Sequence, residues 1–351
     1  MRNDTRKAFN AFKTRLAQLN GVDNTGEQFN VEPSVQQTLE SKMQESSAFL
    51  GQINVIGVDE IKGQKVGLGV SGPIAGRTNV DEKDRATRDV TELTDTTYEC
   101  VSTEFDTHIR WAQLDAWSRF PDFQARIRNA IIKRQALDRI MIGFNGTSAA
   151  TETDPVANPL LQDVNKGWLQ KYREHAPARV LTGGKTAGKI VIDKREQEDD
   201  DGKVTGIKGD YANLDALVFD AVSEMIDPWF REDTALVAIM GRKMLADKYF
   251  PMIQEFAETP SEARDLDMLV SQKRVGGLQA VRAPFVPDGS LLITSLANLS
   301  LYWQLGSRRR HVIDNPKRNR IENYESSNDA YVVEDYGFGC LVENIELTEA
   351  E

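Results

Sequence analysis

The feature that most constrains the fold is a β-rich stretch, residues 53–109, with too little apolar surface to form a core of its own. Its short alternating runs, INVIGV, KVGLGV and TYECVSTEFDTHI, predict strands. Between them, RTNVDEKDRATRDV is highly charged and almost without large apolar side chains. Strands on either side of such a segment predict a long protruding hairpin, and we expect it to rest on the surface of a neighbouring subunit.

The same stretch contains Gly67, Gly69 and Gly72 in the spacing G-x-G-x-x-G. That spacing binds a pyrophosphate only where it joins a strand to the N-terminus of a helix. Here Pro73 and Gly76 follow, and then polar and charged residues without helical apolar periodicity. The glycines therefore fit flexible, tightly packed strands of the hairpin rather than a cofactor site.

The other motifs that resemble enzyme signatures also lack an essential residue. TGGKT would need a glycine at position 179 to be a phosphate loop, and that residue is Arg179. GVSGP, around Ser71, has Pro73 where a nucleophile elbow needs glycine. The histidines lack metal-ligand spacing, and the run DDD at 199–201 is typical of a solvated turn. We expect no cofactor, no metal site and no enzymatic activity.

The charge of the chain is unevenly distributed. The net charge is −11 over 351 residues, yet residues 1–20 carry +4, which leaves −15 for the rest. This balance argues against nucleic acid or an anionic membrane as the main partner. One basic cluster, SRRRHVIDNPKRNR around Arg309, fits either phosphate contacts or pairing with acidic neighbours in an assembly. The two cysteines predict no disulfide framework, and no apolar run is long enough to span a membrane.

Two helices are clear in the pattern. Residues 4–21 form an amphipathic helix that ends at a glycine, and a second helix starts at Pro121 and ends near Gly143. In the second, Arg134 and Asp138 are four residues apart, so they can pair, either in solvent or against another subunit. They fall inside an apolar stripe, whose members are Phe123, Ile127, Ala130, Ile131, Leu137 and Met141. With the short strands elsewhere, the pattern predicts an α+β fold of interleaved segments.

Seven stretches, in order along nearly the whole chain, resemble the major capsid proteins of P2-type temperate phages with contractile tails (Peduoviridae). They are FNVEPSVQQTLESKMQESSAFL, YECVSTEFDTHIRW, DFQARIRNAIIKRQALDRIMIGFNG, LQDVNKGWLQKYR, GRKMLADKYFP, SQKRVGGLQAVRAP and NPKRNRIENYESSNDAYVVEDYGFGCLVE. The resemblance implies the HK97-like capsid fold, with an N-terminal arm, an extended E-loop, a P-domain with a long spine helix, and an A-domain. The implied segments are a scaffolding segment 1–29, the arm 30–55, the E-loop hairpin 56–105, the P-domain 106–214, the A-domain 215–304 and the returning C-terminal strands 305–351.

The resemblance also implies a function and partners. It implies a structural protein that assembles into hexamers and pentamers of a phage head, built in the bacterial cytoplasm around double-stranded DNA. Partners would be a scaffold or prohead protease, a portal protein, and decoration or size-determining proteins. The protease is expected to remove the first segment by a cut close to Phe29 and Asn30. A non-viral compartment shell of the same fold, similar to an encapsulin, is the alternative, and a nucleotide-binding enzyme is a more remote one.

Overall fold

The computed structural model describes residues 1–65, 75–85, 97–117, 120, 122–198, 204–246, 248 and 274–348. The helices are α1 (Asn3–Asn20), α2 (Pro33–Glu45), α3 (Trp111–Trp117), α4 (Phe123–Asn145), α5 (Trp168–His175) and α6 (Leu214–Met225). The strands of the first part of the chain are β1 (Phe29–Asn30), β2 (Asn54–Val58), β3 (Lys62–Gln64), β4 (Thr97–Glu99), β5 (Val101–Glu104), β6 (Thr107–Arg110), β7 (Val180–Leu181), β8 (Ile190–Ile192), β9 (Glu196–Glu198) and β10 (Val204–Ile207). The later strands are β11 (Leu236–Met240), β12 (Arg274–Val275), β13 (Leu278–Arg282), β14 (Leu291–Ser295), β15 (Leu299–Gln304), β16 (Arg309–Asn315), β17 (Arg320–Val333), β18 (Gly339–Val342) and β19 (Ile345–Leu347).

The chain divides into two compact units, each built from separated segments. Unit 1 comprises Met1–Gly63, Glu99–Trp168 and Leu299–Val332, and unit 2 comprises Gln64–Tyr98, Leu169–Asn298 and Val333–Glu351. Helices and strands are mixed in both, so the predicted α+β class of interleaved segments is confirmed.

A seven-stranded sheet of described residues is central to unit 1, in the order β1-β16-β17-β15-β2, with β5 and β6 also paired to β17. β16 and β17 are antiparallel partners, with His311 opposite Tyr324. The turn between them ends at Asn319, whose φ of 48° lies in the left-handed region that asparagine tolerates. β2 runs parallel to β15.

The second predicted helix is α4, and it continues past its expected end. It starts at Phe123, just after Pro121, and it ends at Asn145, with Gly146 as its C-cap. Gly143 is therefore inside the helix rather than at its end. The reason is packing, because a Cβ built at Gly143 would overlap the indole ring of Trp168.

The buried face of α4 differs from the predicted apolar stripe. It runs through Ile132, Gln135 and Arg139, whereas Ala130 is exposed and Ile131 is only half-buried. The stripe was partly wrong because two of the buried side chains are polar. Their burial depends on partners from other segments, and helical periodicity of apolar residues does not report such partners.

Unit 2 has a six-stranded sheet of described residues in the order β12-β13-β11-β14-β18-β7. β11 and β14, the two apolar runs ALVAIMG and SLLITSL, are buried along their whole lengths and pair antiparallel. α6 packs Leu217 and Val218 into the same core and is capped by Asn213, whose Oδ1 accepts from the Ala216 N–H at 2.8 Å. Among the helices of the described residues, none has the length and apolar character needed to cross a bilayer.

Candidate assembly contacts and a buried charge cluster

Five ionisable side chains meet inside unit 1 with almost no exposure to solvent. We call them the arm cluster, because one of them lies on α2, in the segment 30–55 that the resemblance predicts to be the N-terminal arm. Their exposed fractions lie between 1% and 5%. The members are Glu40 on α2, Arg139 on α4, Arg308 just before β16, and Glu325 and Asp329 on β17.

The two arginines share one carboxylate. Arg139 donates to Glu40 through Nη1 and Nη2, and its Nε and Nη2 each donate to Asp329 at 3.0 Å. Arg308 donates to the Glu40 Oε1 atom at 2.8 Å and to the Glu325 Oε1 atom at 2.8 Å through Nε. Glu40 therefore bridges α4 and the β16–β17 pair, and it attaches α2 to both.

The pKa values of the cluster fit charged arginines and an ionised Glu325. Burial lowers the pKa of Arg139, but attraction to Asp329 and Glu40 outweighs it, so the net direction is upward. Burial raises the pKa of Glu325, yet Arg308 and the nearby Arg310 reverse this and bring it to about 2. Such a cluster is stable only while every charge keeps its partner, since an unpaired buried charge is strongly destabilising.

The arm cluster corrects part of the interpretation of the basic segment around Arg309. Arg308 is not available for phosphate or for a neighbouring subunit, because it is 1% exposed and paired within the chain. Arg310 is half-buried and donates to Asn323 at 2.8 Å. Arg309 itself is exposed on β16, so its predicted role in intersubunit contacts stays a prediction.

Arg134 and Asp138 do form the predicted pair. Arg134 Nη2 lies 2.7 Å from Asp138 Oδ1, and the side chains are 60% and 19% exposed. Burial raises the pKa of Asp138, and the guanidinium of Arg134 acts in the opposite direction. The arginine thus reaches into solvent in the single chain, where another subunit can contact it.

Phe29 and Asn30, at the predicted cleavage point, form β1 at the edge of the sheet. They pair antiparallel with β16, opposite Arg310 and Arg309. Phe29 is 8% exposed, and just before it the Thr25 carbonyl accepts from the Val312 N–H at 3.1 Å. The connection between α1 and β1 is thus packed against β16 and is not a free linker.

Gly67, Gly69 and Gly72 lie outside the described residues, so their predicted role in the hairpin stays a prediction. Nothing in the sequence alone pointed to the arm cluster as a unit. A usable signal exists in hindsight: Glu40 and Arg139 each interrupt an otherwise neutral buried face of a helix. The partner of each is distant in sequence, which is why spacing did not reveal it.

Comparison with known proteins identifies the family. A sequence model described as "Phage major capsid protein, P2 family" matches residues 8–345. A capsid protein of Escherichia phage P2 is 50% identical, over 99% of this chain and 96% of that protein. The major capsid protein of Serratia phage KSP20 is 40% identical, over 100% of this chain and 99% of that protein.

The same likeness appears in three dimensions. A solved structure described as "Satellite phage P4 procapsid including size determination (Sid) protein" contains a chain with a TM-score of 0.77 and 47% identity. The match covers 99% of each chain. It confirms the predicted HK97-like capsid fold. The chain belongs to the P2 family of phage major capsid proteins.

Proposed function

We propose that this capsid protein forms the hexamers and pentamers of an icosahedral head that encloses double-stranded DNA without reading its sequence. The observation that carries the proposal is identity of 40–50% to two phage capsid proteins along the whole chain. Such a protein is a structural component with no catalytic role. The net charge of −15 outside residues 1–20 favours weak contacts with DNA.

Electron microscopy of the purified, overexpressed protein tests the assembly. Closed shells, capsomers or aberrant closed particles are expected. A chain that remains a monodisperse monomer, even with its scaffold and portal present, would contradict the proposal. Filter binding at physiological salt tests the claim that contacts with DNA are weak. Nanomolar affinity of isolated capsomers for duplex DNA would contradict it, and would show that Arg309 or another basic group forms a DNA-binding site.

The proposed partners are those that membership of the P2 capsid family leads us to expect. We infer that a scaffold or prohead protease, a portal protein and a size-determining protein act on this chain during assembly in the host cytoplasm. Support for the last comes from the P4 procapsid, which includes a protein described as one of size determination. Co-expression with such a protein is expected to change the diameter of the shells seen by microscopy, and an unchanged diameter would argue against that partner.

Residues 1–29 are proposed to be removed by a cut near Phe29 and Asn30. The support is the +4 charge of residues 1–20, against −15 for the rest of the chain, and the folding of these residues as a helix of their own, α1. The cut bond lies in β1, so the strand must leave β16 before a protease can bind it in extended form. Mass spectrometry of shells from DNA-filled virions decides the matter: most copies should lack Met1, and intact chains would contradict the proposal.

A further inference from the structure

α1 lies in a groove of unit 1 that is apolar at its base. Phe9 and Leu16 are 6% and 8% exposed, and they form one cluster with Leu114, Val312 and Ile321. These last three come from α3, β16 and β17, well away from α1 in sequence. The helix thus buries its apolar side against the body of the unit rather than standing apart from it.

Two carboxylates line the rim of this groove and face the N-terminal end of α1. The Arg2 backbone N–H donates to Asp115 Oδ1 at 2.8 Å, and the N-terminal ammonium of Met1 lies 3.8 Å from Asp115 Oδ2. The Arg6 Nη1 atom lies 3.2 Å from Asp314 Oδ2. A hydrogen bond from the Thr5 side chain, followed by that from Arg2, lowers the pKa of Asp115. Asp115 and Asp314, together with Leu114, Val312 and Ile321, are called the α1 groove below.

The contacts named above are made by Met1, Arg2, Arg6, Phe9 and Leu16, although Val22 and Phe29 also pack in the same cluster. The C-terminus of α1 is capped by the residues that follow it directly. The N–H of Gly21, which has a φ of 63°, donates to Gln18 O, and the N–H of Val22 donates to Ala17 O at 3.0 Å. This left-handed glycine cap satisfies the last carbonyls without help from residues further along. A cut after residue 22 therefore leaves the helix, its cap and its contacts in place.

We infer that the α1 groove is a binding site for a basic amphipathic helix, and that it holds residues 1–22 without a covalent link. Cleavage near Phe29 then does not by itself eject α1. Release requires a second event that opens the groove, such as movement of α3 or β16. Retention of α1 after maturation rests on the proposed cleavage near Phe29. Binding of α1 in the groove does not depend on that cleavage.

The binding is tested on the full chain with a site for a sequence-specific protease inserted after Asp23, which is exposed. The folded protein is cut, and the N-terminal fragment is followed by size exclusion and mass spectrometry in low salt. We expect the fragment to elute with the body. We also expect D115N combined with D314N to weaken rebinding of a labelled fragment about tenfold, since two charge contacts are removed.

D122N is the matched control, because Asp122 pairs with Arg126 on the exposed surface of α4. It should leave retention unchanged. Two outcomes would overturn the inference: a fragment that separates at once from a body whose circular dichroism is unaltered, or a rebinding affinity that D115N with D314N does not change. The engineered cut needs no phage protease, so failure here is distinct from an uncut Met1 end in virions.

Discussion

Replacing Glu40 by glutamine removes the carboxylate that joins the two arginines of the arm cluster. Two unit charges about 4 Å apart attract by about 4 kcal/mol at an effective dielectric constant of about 20, so Glu40 contributes about 8 kcal/mol of gross attraction to Arg139 and Arg308. Against this, the substitution also removes the burial cost of one carboxylate, several kcal/mol, and its repulsion from Asp329 and Glu325. We expect a net loss of about 3–5 kcal/mol in the free energy of unfolding, the usual result of breaking a buried ion pair.

Denaturant unfolding of the purified chain, followed by circular dichroism, measures this loss, and hydrogen exchange of α2 shows where it acts. E40Q should increase the exchange rate of the α2 amides more than that of the α6 amides, because Glu40 is the charge that attaches α2 to α4 and β16. Glu45→Gln is the matched control on the same helix. Glu45 is exposed, so its replacement should change the free energy of unfolding by less than about 0.5 kcal/mol.

A loss below about 1 kcal/mol for E40Q, or one equal to that of E45Q, would refute the reasoning. It would mean that the cluster rearranges so that each arginine keeps a full partner without Glu40. Destabilisation spread evenly over both units, with α2 no more affected than α6, would refute the specific role of Glu40 in attaching α2 to α4 and β16.

Three further substitutions give independent checks. G143A should destabilise unit 1 by about 1–3 kcal/mol in urea unfolding, because the added methyl meets Trp168, although alanine normally favours a helix; a gain in stability would contradict this packing. E325Q should cost most above pH 4.5, the ordinary pKa, and its cost should fall as the pH drops towards 2, since the folded chain keeps Glu325 ionised down to about 2; a pH-independent difference would contradict the direction of the shift. R134A should change the stability of the single chain by only about 0–1 kcal/mol, since the Arg134 side chain is 60% exposed, while the yield of closed shells counted by microscopy falls; normal yields would place the pair on free surface.

The predictions from sequence that were confirmed rest on local chemistry. The helix predicted over residues 4–21 is α1, the helix predicted from Pro121 is α4, and the runs INVIGV and TYECVSTEFDTHI contain β2, β4, β5 and most of β6. Each depends on residues within a few positions of one another, so the pattern contains the information. The resemblance to P2-type capsid proteins also came from stretches of contiguous residues, and it was confirmed.

What the sequence did not reveal depends on groups that meet from distant segments. Glu40 and Arg308 are separated by 268 positions, yet they share a hydrogen bond of 2.8 Å. Gly143 predicts a helix end, but it lies inside α4, where the indole of Trp168 fills the space that a side chain would occupy.

By itself, the sequence determined that this chain is an α+β capsid protein with a basic N-terminal helix and no recognisable catalytic motif. Only the tertiary structure decided which charges are buried, which helix face is internal, and that α1 is seated in a groove. The physical reason is that helix and strand formation respond to neighbouring residues, whereas the burial of a charge is favourable only when its partner has been placed beside it.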